Sequence, residues 1–214
     1  MAKNPPRNRL RKSSSQDAAA TLAPIPVSRY VLFFSLAIVG AAADLISKQV
    51  AFQWRGMPGQ QAEWWLWPHY VGIETSLNPG ALFGMGAGYS WLFATLSVAA
   101  GFGILTWLFV YGAARDTLLT FALGCVTAGI LGNLYDRLGL WHWQGVPAGY
   151  ERYACCVRDW ILFRYGAHTW PNFNIADSLL VSGAGLLVWH AIRYREPQPA
   201  TSPAELPQTA ASKP

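Results

Sequence analysis

The sequence predicts an all-α membrane protein with four transmembrane helices and extracytoplasmic aromatic-rich loops, and we allow for a small β element within those loops. Of the 214 residues, 52% are hydrophobic and only 13% are charged, which is too apolar for a typical soluble domain. The charged residues also leave four apolar stretches of membrane length, because about 20 helical residues cross roughly 30 Å of hydrocarbon. These stretches lie at about residues 29–52, 89–112, 117–135 and 173–192.

The first predicted helix carries two charges, Asp44 and Lys48, near its outer end. Residues four apart lie on one helical face, so we expect an ion pair with a structural role. Lys48 could instead extend toward lipid headgroups. Small residues at 40–43 resemble a signal-peptide cleavage site, but three further spans and the charged pair favour a retained helix.

A turn of sequence Asn-Pro-Gly-Ala at residues 78–81 precedes the second predicted helix, which contains no charge. Proline and glycine predict a turn with exposed backbone groups, and Asn78 adds a hydrogen-bond donor and acceptor. Asn78 and Gly80 are therefore candidates for holding a peptide backbone, although the same tetrapeptide also serves as an ordinary turn.

The third predicted helix combines polar residues with small ones. Counted from Gly129, three polar residues follow at positions four, seven and eight, which places all four on one helical face: Gly129, Asn133, Asp136 and Arg137. We interpret the adjacent Asp136 and Arg137 as a structural ion pair, because a neighbouring guanidinium would keep the carboxylate ionised. A stripe of small residues predicts close approach by another helix and consists of Gly124, Ala128 and Gly132.

Two further aspartates have no basic residue one helical turn away. Asp177 opens the fourth predicted helix, and Asp159 leads into the apolar residues 160–163, which we expect at the membrane interface. A carboxylate in the membrane is unfavourable by roughly 2.5–3.5 kcal/mol at a helix centre and usually marks a functional site. Two carboxylates brought close share a proton, so one can activate water while the other protonates a leaving amine, as in aspartic proteases.

Basic residues indicate the orientation of the helices. They precede the first predicted helix, occupy the turn at Arg115 and follow the fourth helix at Arg193 and Arg195, so both termini are expected in the cytoplasm. Four arginines in the opposite compartment make this bias imperfect: Arg137, Arg152, Arg158 and Arg164.

The chain divides into three segments by composition. Residues 1–26 and 196–214 are expected to be disordered cytoplasmic tails, and the first of them is basic. Residues 27–195 are expected to form the membrane domain. Tryptophans in both extracytoplasmic loops are interpreted mainly as an interfacial belt: Trp54, Trp64, Trp65, Trp67, Trp141, Trp143, Trp160 and Trp170.

Several chemistries are not expected. Three cysteines do not make a disulfide framework, and no His/Cys cluster has the spacing of a metal site, so we predict neither metal nor cofactor. The net charge of +5 reflects topology, and we expect no nucleic-acid partner.

Five motifs, in order, resemble lipoprotein signal peptidase, the signal peptidase II family, over about residues 28–195. They are Asp44-x-x-x-Lys48, Asn78-x-Gly80-Ala81-x-Phe83-Gly84, Gly129-x-x-Gly132-Asn133-x-x-Asp136-Arg137, Val157-x-Asp159-Trp160 and Phe173-Asn174-x-Ala176-Asp177. The resemblance implies an aspartic endopeptidase of the bacterial inner membrane with its active site on the extracytoplasmic side. Its partners would be membrane lipids and prolipoproteins, which it would cut just before the diacylglyceryl-modified cysteine. We expect a monomer.

The same resemblance assigns roles to single residues. It makes Asp159 and Asp177 the catalytic pair. Residues that shape or support the substrate site would be Asn78, Gly80, Asn133, Arg137 and Asn174, with Gly129 and Ala176 in the same motifs. Supporting polar residues would be Asp44, Lys48 and Asp136.

The chain departs from the family pattern at three places. The aromatic segment 138–158 is longer than usual, Arg158 replaces an apolar residue, and Leu82 replaces a small one. The long segment weakens the placement of Asp159, but Glu151, the other acidic residue between Arg137 and Asp177, lacks an apolar flank.

A proton-coupled transporter and a non-catalytic assembly protein are the alternatives to a peptidase.

Overall fold

Four helices long and apolar enough to cross a membrane form the frame of the protein. The computed structural model describes residues 24–80, 86–142 and 145–193. The helices are α1 (Val27–Arg55), α2 (Ser90–Leu105, continued by a π-helical turn over Thr106–Val110), α3 (Thr117–Arg137) and α4 (Ile175–Arg193). The four spans expected from the sequence are confirmed by length and composition. The expected tails lie almost entirely outside the described residues.

Helix α3 is the centre of the bundle. In its most apolar window 56% of the residues are buried, against 22% or less in the other three helices. Glycines explain how α1 and α4 approach it so closely. A side chain at Gly132 would meet the carboxylate of Asp44 on α1, and one at Gly129 would meet the backbone carbonyl of Ala176 on α4. The close approach expected from the small-residue stripe is confirmed.

An antiparallel sheet of four strands, in the order β1-β2-β3-β4, covers one end of the bundle, here called the sheet end. Its strands are β1 (Trp64–Trp67), β2 (Val71–Asn78), β3 (Val157–Tyr165) and β4 (His168–Phe173). The all-α expectation therefore holds for the spans, whereas both loops contain strands. Residues 160–163, expected only as an interfacial apolar stretch, belong to β3, where aromatic and β-branched residues suit a half-buried pleated surface.

The pairing of β2 with β3 brings the two loops together. Ser76 lies opposite Asp159, and Asn78 lies opposite Val157. A single residue, Asn174, separates the end of β4 from the start of α4. The sheet therefore places Asp159, the turn after Asn78 and the first turn of α4 at the same end of the bundle.

Candidate active site

Asp159 and Asp177 are joined through one residue, Asn174. Asp159 on β3 is only 2% exposed, and Asp177 in the first turn of α4 is partly exposed. The fully buried Asn174 donates from Nδ2 to Asp159 Oδ1 at 2.6 Å and from its backbone N–H to Asp177 Oδ2 at 3.2 Å. The structure thus brings together the two carboxylates that the resemblance assigned to catalysis.

The start of α4 fixes the conformation of Asp177. Asn174 precedes the helix, and its Oδ1 accepts a hydrogen bond from the backbone N–H of Asp177 at 2.8 Å. Together with the Asn174 N–H bond to Asp177 Oδ2, this makes a reciprocal capping interaction, which satisfies backbone donors that a helix start otherwise leaves free. The same residue therefore caps the helix and orients one carboxylate.

Asn133 connects the carboxylates to α1. Its Nδ2 donates to Asp177 Oδ1 at 2.8 Å, while its Oδ1 accepts from Lys48 Nζ at 2.9 Å and from Asn174 Nδ2 at 3.2 Å. An ammonium group can only donate, so Lys48 determines which side of the amide faces it. Asn133 is thereby left with its N–H₂ group directed at Asp177.

Four charged residues form a buried charge cluster beside the amides: Asp44, Lys48, Asp136 and Arg158, each 2% exposed or less. Lys48 Nζ lies 2.7 Å from Asp44 Oδ2 and 3.1 Å from Asp136 Oδ2. The expected Asp44–Lys48 pair is confirmed. The alternative in which Lys48 extends to lipid headgroups is wrong, because the side chain is fully buried.

The expected ion pair between Asp136 and Arg137 is wrong. Asp136 Oδ1 accepts from Arg158 Nη2 at 2.9 Å and Nε at 3.0 Å, and its Oδ2 accepts from the Arg158 backbone N–H at 3.0 Å. Consecutive helical residues do not face each other, so Arg137 points away from its neighbour. The charged partners of Asp136 are Arg158, 22 residues distant in sequence, and Lys48 on α1.

Arg137 instead holds the turn that follows β2. Its Nη2 donates to the Gly80 carbonyl oxygen at 2.9 Å, and its guanidinium lies 4.7 Å from the centre of the Phe93 ring. The charges of Asp177 and Asp159 also act on it. Arg137 is therefore a cation that faces the carboxylate pair.

The predicted turn is confirmed for residues 78–80. Asn78 Oδ1 accepts from the Gly80 N–H at 3.0 Å, a local bond that closes the turn, and the Asn78 side chain also hydrogen-bonds to Asp159. The remainder of this motif, residues 81–84, lies outside the described part of the chain, as does Trp143.

Gly129 and Ala176 act through the backbone. The absence of a side chain at Gly129 admits the Ala176 carbonyl oxygen, and the Ala176 N–H donates to Asp44 Oδ1 at 2.8 Å. These contacts hold the first turn of α4 against both α3 and α1. The position of Asp177 is fixed by that turn.

Burial is the main influence on the acidity of Asp159. Burial first, and the charge of Asp177 second, raise the pKa of Asp159 to about 8, against the opposing effects of Lys48 and of the amides of Asn174 and Asn78. At neutral pH Asp159 therefore keeps a proton. A buried acid beside a partly exposed one is an arrangement suited to general acid–base chemistry.

A cleft of about 440 Å³ leads to Asp159. Its walls come from β2, from the turn at 78–79, and from the bulged part of β4, and include Glu74, Ser76, Asn78, Pro79, Pro171 and Asn172. A volume of this size falls within the range of ligand-binding clefts. Two residues near the site are not part of the five motifs. Arg158 on β3 bonds to Asp136 and to Gln49 on α1. Nothing in the sequence around Gln49 marks it as a site residue.

Comparisons with known proteins agree with the family resemblance carried by the five motifs. The family model for signal peptidase (SPase) II matches residues 36–193. The lipoprotein signal peptidase of Rhodopirellula baltica is 53% identical over 177 residues, which cover 82% of this chain and 76% of that protein. The lipoprotein signal peptidase of Rhodococcus jostii is 33% identical, with coverage of 82% and 80%.

A solved structure shares the fold. A bacterial membrane enzyme determined by the in meso method at 1.9 Å superposes with a TM-score of 0.61 at 21% identity, over 76% of this chain and 94% of that one. At this identity the likeness concerns the fold alone. Because the family model spans most of the chain and the similarity to the Rhodopirellula protein extends over four fifths of it, the chain belongs to the signal peptidase II family.

Proposed function

We propose that the protein is an aspartic endopeptidase of the membrane, in which Asp159 and Asp177 hydrolyse the peptide bond that joins a signal peptide to a lipoprotein. Family membership supports the removal of signal peptides from prolipoproteins over the transporter and assembly alternatives. The aspartic mechanism is supported mainly by one observation. Both carboxylates accept hydrogen bonds from Asn174, Asp159 from its side-chain amide and Asp177 from its backbone N–H, and the pKa of the buried Asp159 is raised.

The two carboxyl groups take different roles. Asp177, partly exposed and oriented by Asn133, accepts a proton from a water molecule as the water oxygen attacks the scissile carbonyl carbon. Asp159, protonated at neutral pH, donates a hydrogen bond and then its proton to the carbonyl oxygen. When the C–N bond breaks, the leaving amine takes the proton held by Asp177, and the carbonyl oxygen returns its proton to Asp159. The products are a carboxyl group on the signal peptide and a free amine on the cysteine.

Arg137 and the turn at 78–80 would orient the substrate backbone. Arg137 is fixed by Gly80 and Phe93 beside the carboxylates, and Asn78 lies in the wall of the cleft. The peptide would lie extended in the cleft with its lipid tails in the bilayer. Buried methylenes contribute about 0.8 kcal/mol each, so the diacylglyceryl group would supply most of the binding energy.

The placement in the cell follows from the charges. Basic residues near both termini and in the turn between α2 and α3 favour cytoplasmic termini, so the sheet end would face the extracytoplasmic side of the inner membrane. Residues 27–195 would be sufficient for activity, and the active unit would be a monomer.

The direct test uses purified enzyme in detergent or liposomes with a lipidated precursor. Asp159→Asn and Asp177→Asn should each abolish cleavage while the protein remains folded, because acid and base are both required. Glu151→Gln is the matched control, since Glu151 is exposed and hydrogen-bonds only locally to Gly149. Cleavage by either Asn variant at the wild-type rate would refute the assignment.

The lipid requirement is tested with an unlipidated precursor of identical sequence. It should be cleaved poorly or not at all under conditions in which the lipidated precursor is fully processed. Equal turnover of the two precursors would instead indicate a general membrane protease.

A further inference from the structure

We propose that Arg158 is a positioning residue for catalysis, which fixes Asp159 from the opposite side of β3 with the help of Trp141 in the long segment 138–158. The inference rests on the proposed catalytic role of Asp159. It also gives that segment a function, because Trp141 packs against Arg158 and not against the cleft.

One carboxylate holds both the side chain and the main chain of Arg158. Asp136 Oδ1 accepts from Arg158 Nε and Nη2, and Asp136 Oδ2 accepts from the Arg158 backbone N–H. Arg158 is 2% exposed and Asp136 is fully buried, so these bonds are shielded from water. The residue immediately before Asp159 is thereby attached to α3 at two points.

Two further contacts complete the attachment. Arg158 Nη1 donates to Gln49 Oε1 on α1 at 3.2 Å, and the guanidinium lies 5.4 Å from the centre of the Trp141 ring. A planar guanidinium can make these contacts together because its donors point in fixed directions and its faces can stack on an aromatic ring. Gln49, Asp136, Trp141 and Arg158 form a unit that we call the Arg158 clamp.

The clamp is connected directly to the carboxylate pair. The Arg158 carbonyl oxygen accepts from Asn174 Nδ2 at 3.4 Å, and the same Nδ2 donates to Asp159 Oδ1 at 2.6 Å. A shift of the Arg158 backbone would therefore change the geometry of these two bonds.

The sheet holds Asp159 firmly on one side only. Residues 157–159 pair in register with residues 76–78, but the pairing of β2 with β3 is irregular immediately after Asp159. The extra residue lies on β2, where residues 74 and 75 stand opposite residue 160, so the regular pairing of β3 is interrupted on this side of Asp159. The clamp holds Arg158, the residue immediately before Asp159. It therefore limits the movement of Asp159 where pairing with β2 is interrupted after it. A displacement of about 1 Å in a catalytic group can lower the rate roughly 100-fold.

The same strand offers a matched control. Arg164 also pairs with a carboxylate, Glu63 at 2.7 Å, and also lies over an indole ring, that of Trp65, at 4.8 Å. Its side chain is 28% exposed and lies five residues beyond Asp159, at the far end of the strand. Arg164→Gln therefore removes the same types of contact from β3 without affecting the clamp.

The experiment measures kcat and KM for a lipidated precursor, per folded and monodisperse enzyme, in Arg158→Lys, Arg158→Gln and Arg164→Gln. We expect Arg158→Gln to lower kcat about 30- to 100-fold with KM within about twofold, because positioning and not substrate binding is lost. Arg158→Lys keeps the charge beside Asp136, and hence folding, but cannot reproduce the guanidinium fork; an intermediate loss of kcat is expected. Arg164→Gln should change kcat by less than about twofold.

The outcomes separate the two proposals. The positioning role is overturned if folded Arg158→Lys and Arg158→Gln both have the wild-type kcat. It is also overturned if these substitutions only lower the yield of folded protein and the folded fraction has a normal kcat. Asp159→Asn is assayed in the same series. If it is active, the proposed catalytic role of Asp159 fails; if it is inactive while the Arg158 variants are normal, only the positioning role fails.

Discussion

Two sets of carboxylates at the sheet end of the bundle are stabilised by different partners. Asp44 and Asp136 are bound by cations, Lys48 and Arg158, within the charge cluster. Asp159 and Asp177 are bound by the amides of Asn174 and Asn133.

The difference in partners suits the two sets of carboxylates to different roles. Removing one partner from a buried ion pair leaves an uncompensated charge, so these pairs contribute mainly to the folded structure. A carboxylate held by amides can gain or lose a proton, because an amide offers hydrogen bonds without a compensating charge. The charge cluster is thus suited to holding α1, α3 and β3 together, and the amide-bound pair is suited to moving protons.

Removing the side chain of Asn174 should have the largest effect on cleavage. Asn174→Ala deletes the bond to Asp159 Oδ1 and the cap on Asp177, so we expect cleavage to fall at least about 100-fold. The measurement is kcat/KM for the lipidated precursor. Gln61→Ala is the control, because this exposed amide donates to the Trp54 carbonyl oxygen and not to the carboxylate pair. Equal losses in the two variants would contradict a specific role for Asn174.

The pH dependence of activity should reveal the raised pKa of Asp159. Asp159 must carry its proton to act as an acid, and its pKa is about 8. We therefore expect kcat/KM to be retained up to about pH 8 and to fall about tenfold per pH unit above it. Activity that stays constant to pH 10 would show that Asp159 does not supply a proton in the rate-limiting step.

A smaller effect is expected at the edge of the cleft. Asn78→Ala removes one hydrogen bond to Asp159 and the local bond that closes the turn, a loss of about 1 kcal/mol or about fivefold in kcat/KM. Thermal unfolding should be nearly unchanged, since Asn78 lies in a partly exposed turn. Unchanged cleavage would exclude Asn78 from the site.

The sequence was sufficient for the spans because membrane length is a local property. Charges bracket each helix, and the observed bounds, such as Thr117–Arg137, differ from expectation by a few residues. The Asp44–Lys48 pair was also predictable, because i,i+4 geometry is fixed within one helix.

The strands and their partners were not predictable in the same way. The pairing of β2 with β3 joins residues 79 to 92 positions apart, and aromatic runs in the loops resemble an interfacial belt as much as strands. Arg158 reaches Asp136 only through that pairing, whereas the sequence alone places Arg137 beside Asp136. The assignment of the carboxylate pair depended on the family motifs, because no spacing within one helix relates Asp159 to Asp177.

The most direct measurement compares the thermal unfolding of Asp136→Asn and Asp159→Asn with that of the wild type at pH 8. Asp136→Asn leaves Arg158 and Lys48 without a shared carboxylate, so unfolding should become easier by about 3–5 kcal/mol. For Asp159 the pKa is raised from 3.8 to about 8 on folding, so stability is lost as pH rises between these values. Asp159→Asn removes that loss. It should unfold at a higher temperature than the wild type at pH 8, with the difference vanishing near pH 4.

Opposite signs for the same substitution at two buried aspartates are therefore expected. Destabilisation by both substitutions at pH 8 would show that Asp159 is a structural charge like Asp136, and would contradict the separation of the charge cluster from the catalytic pair.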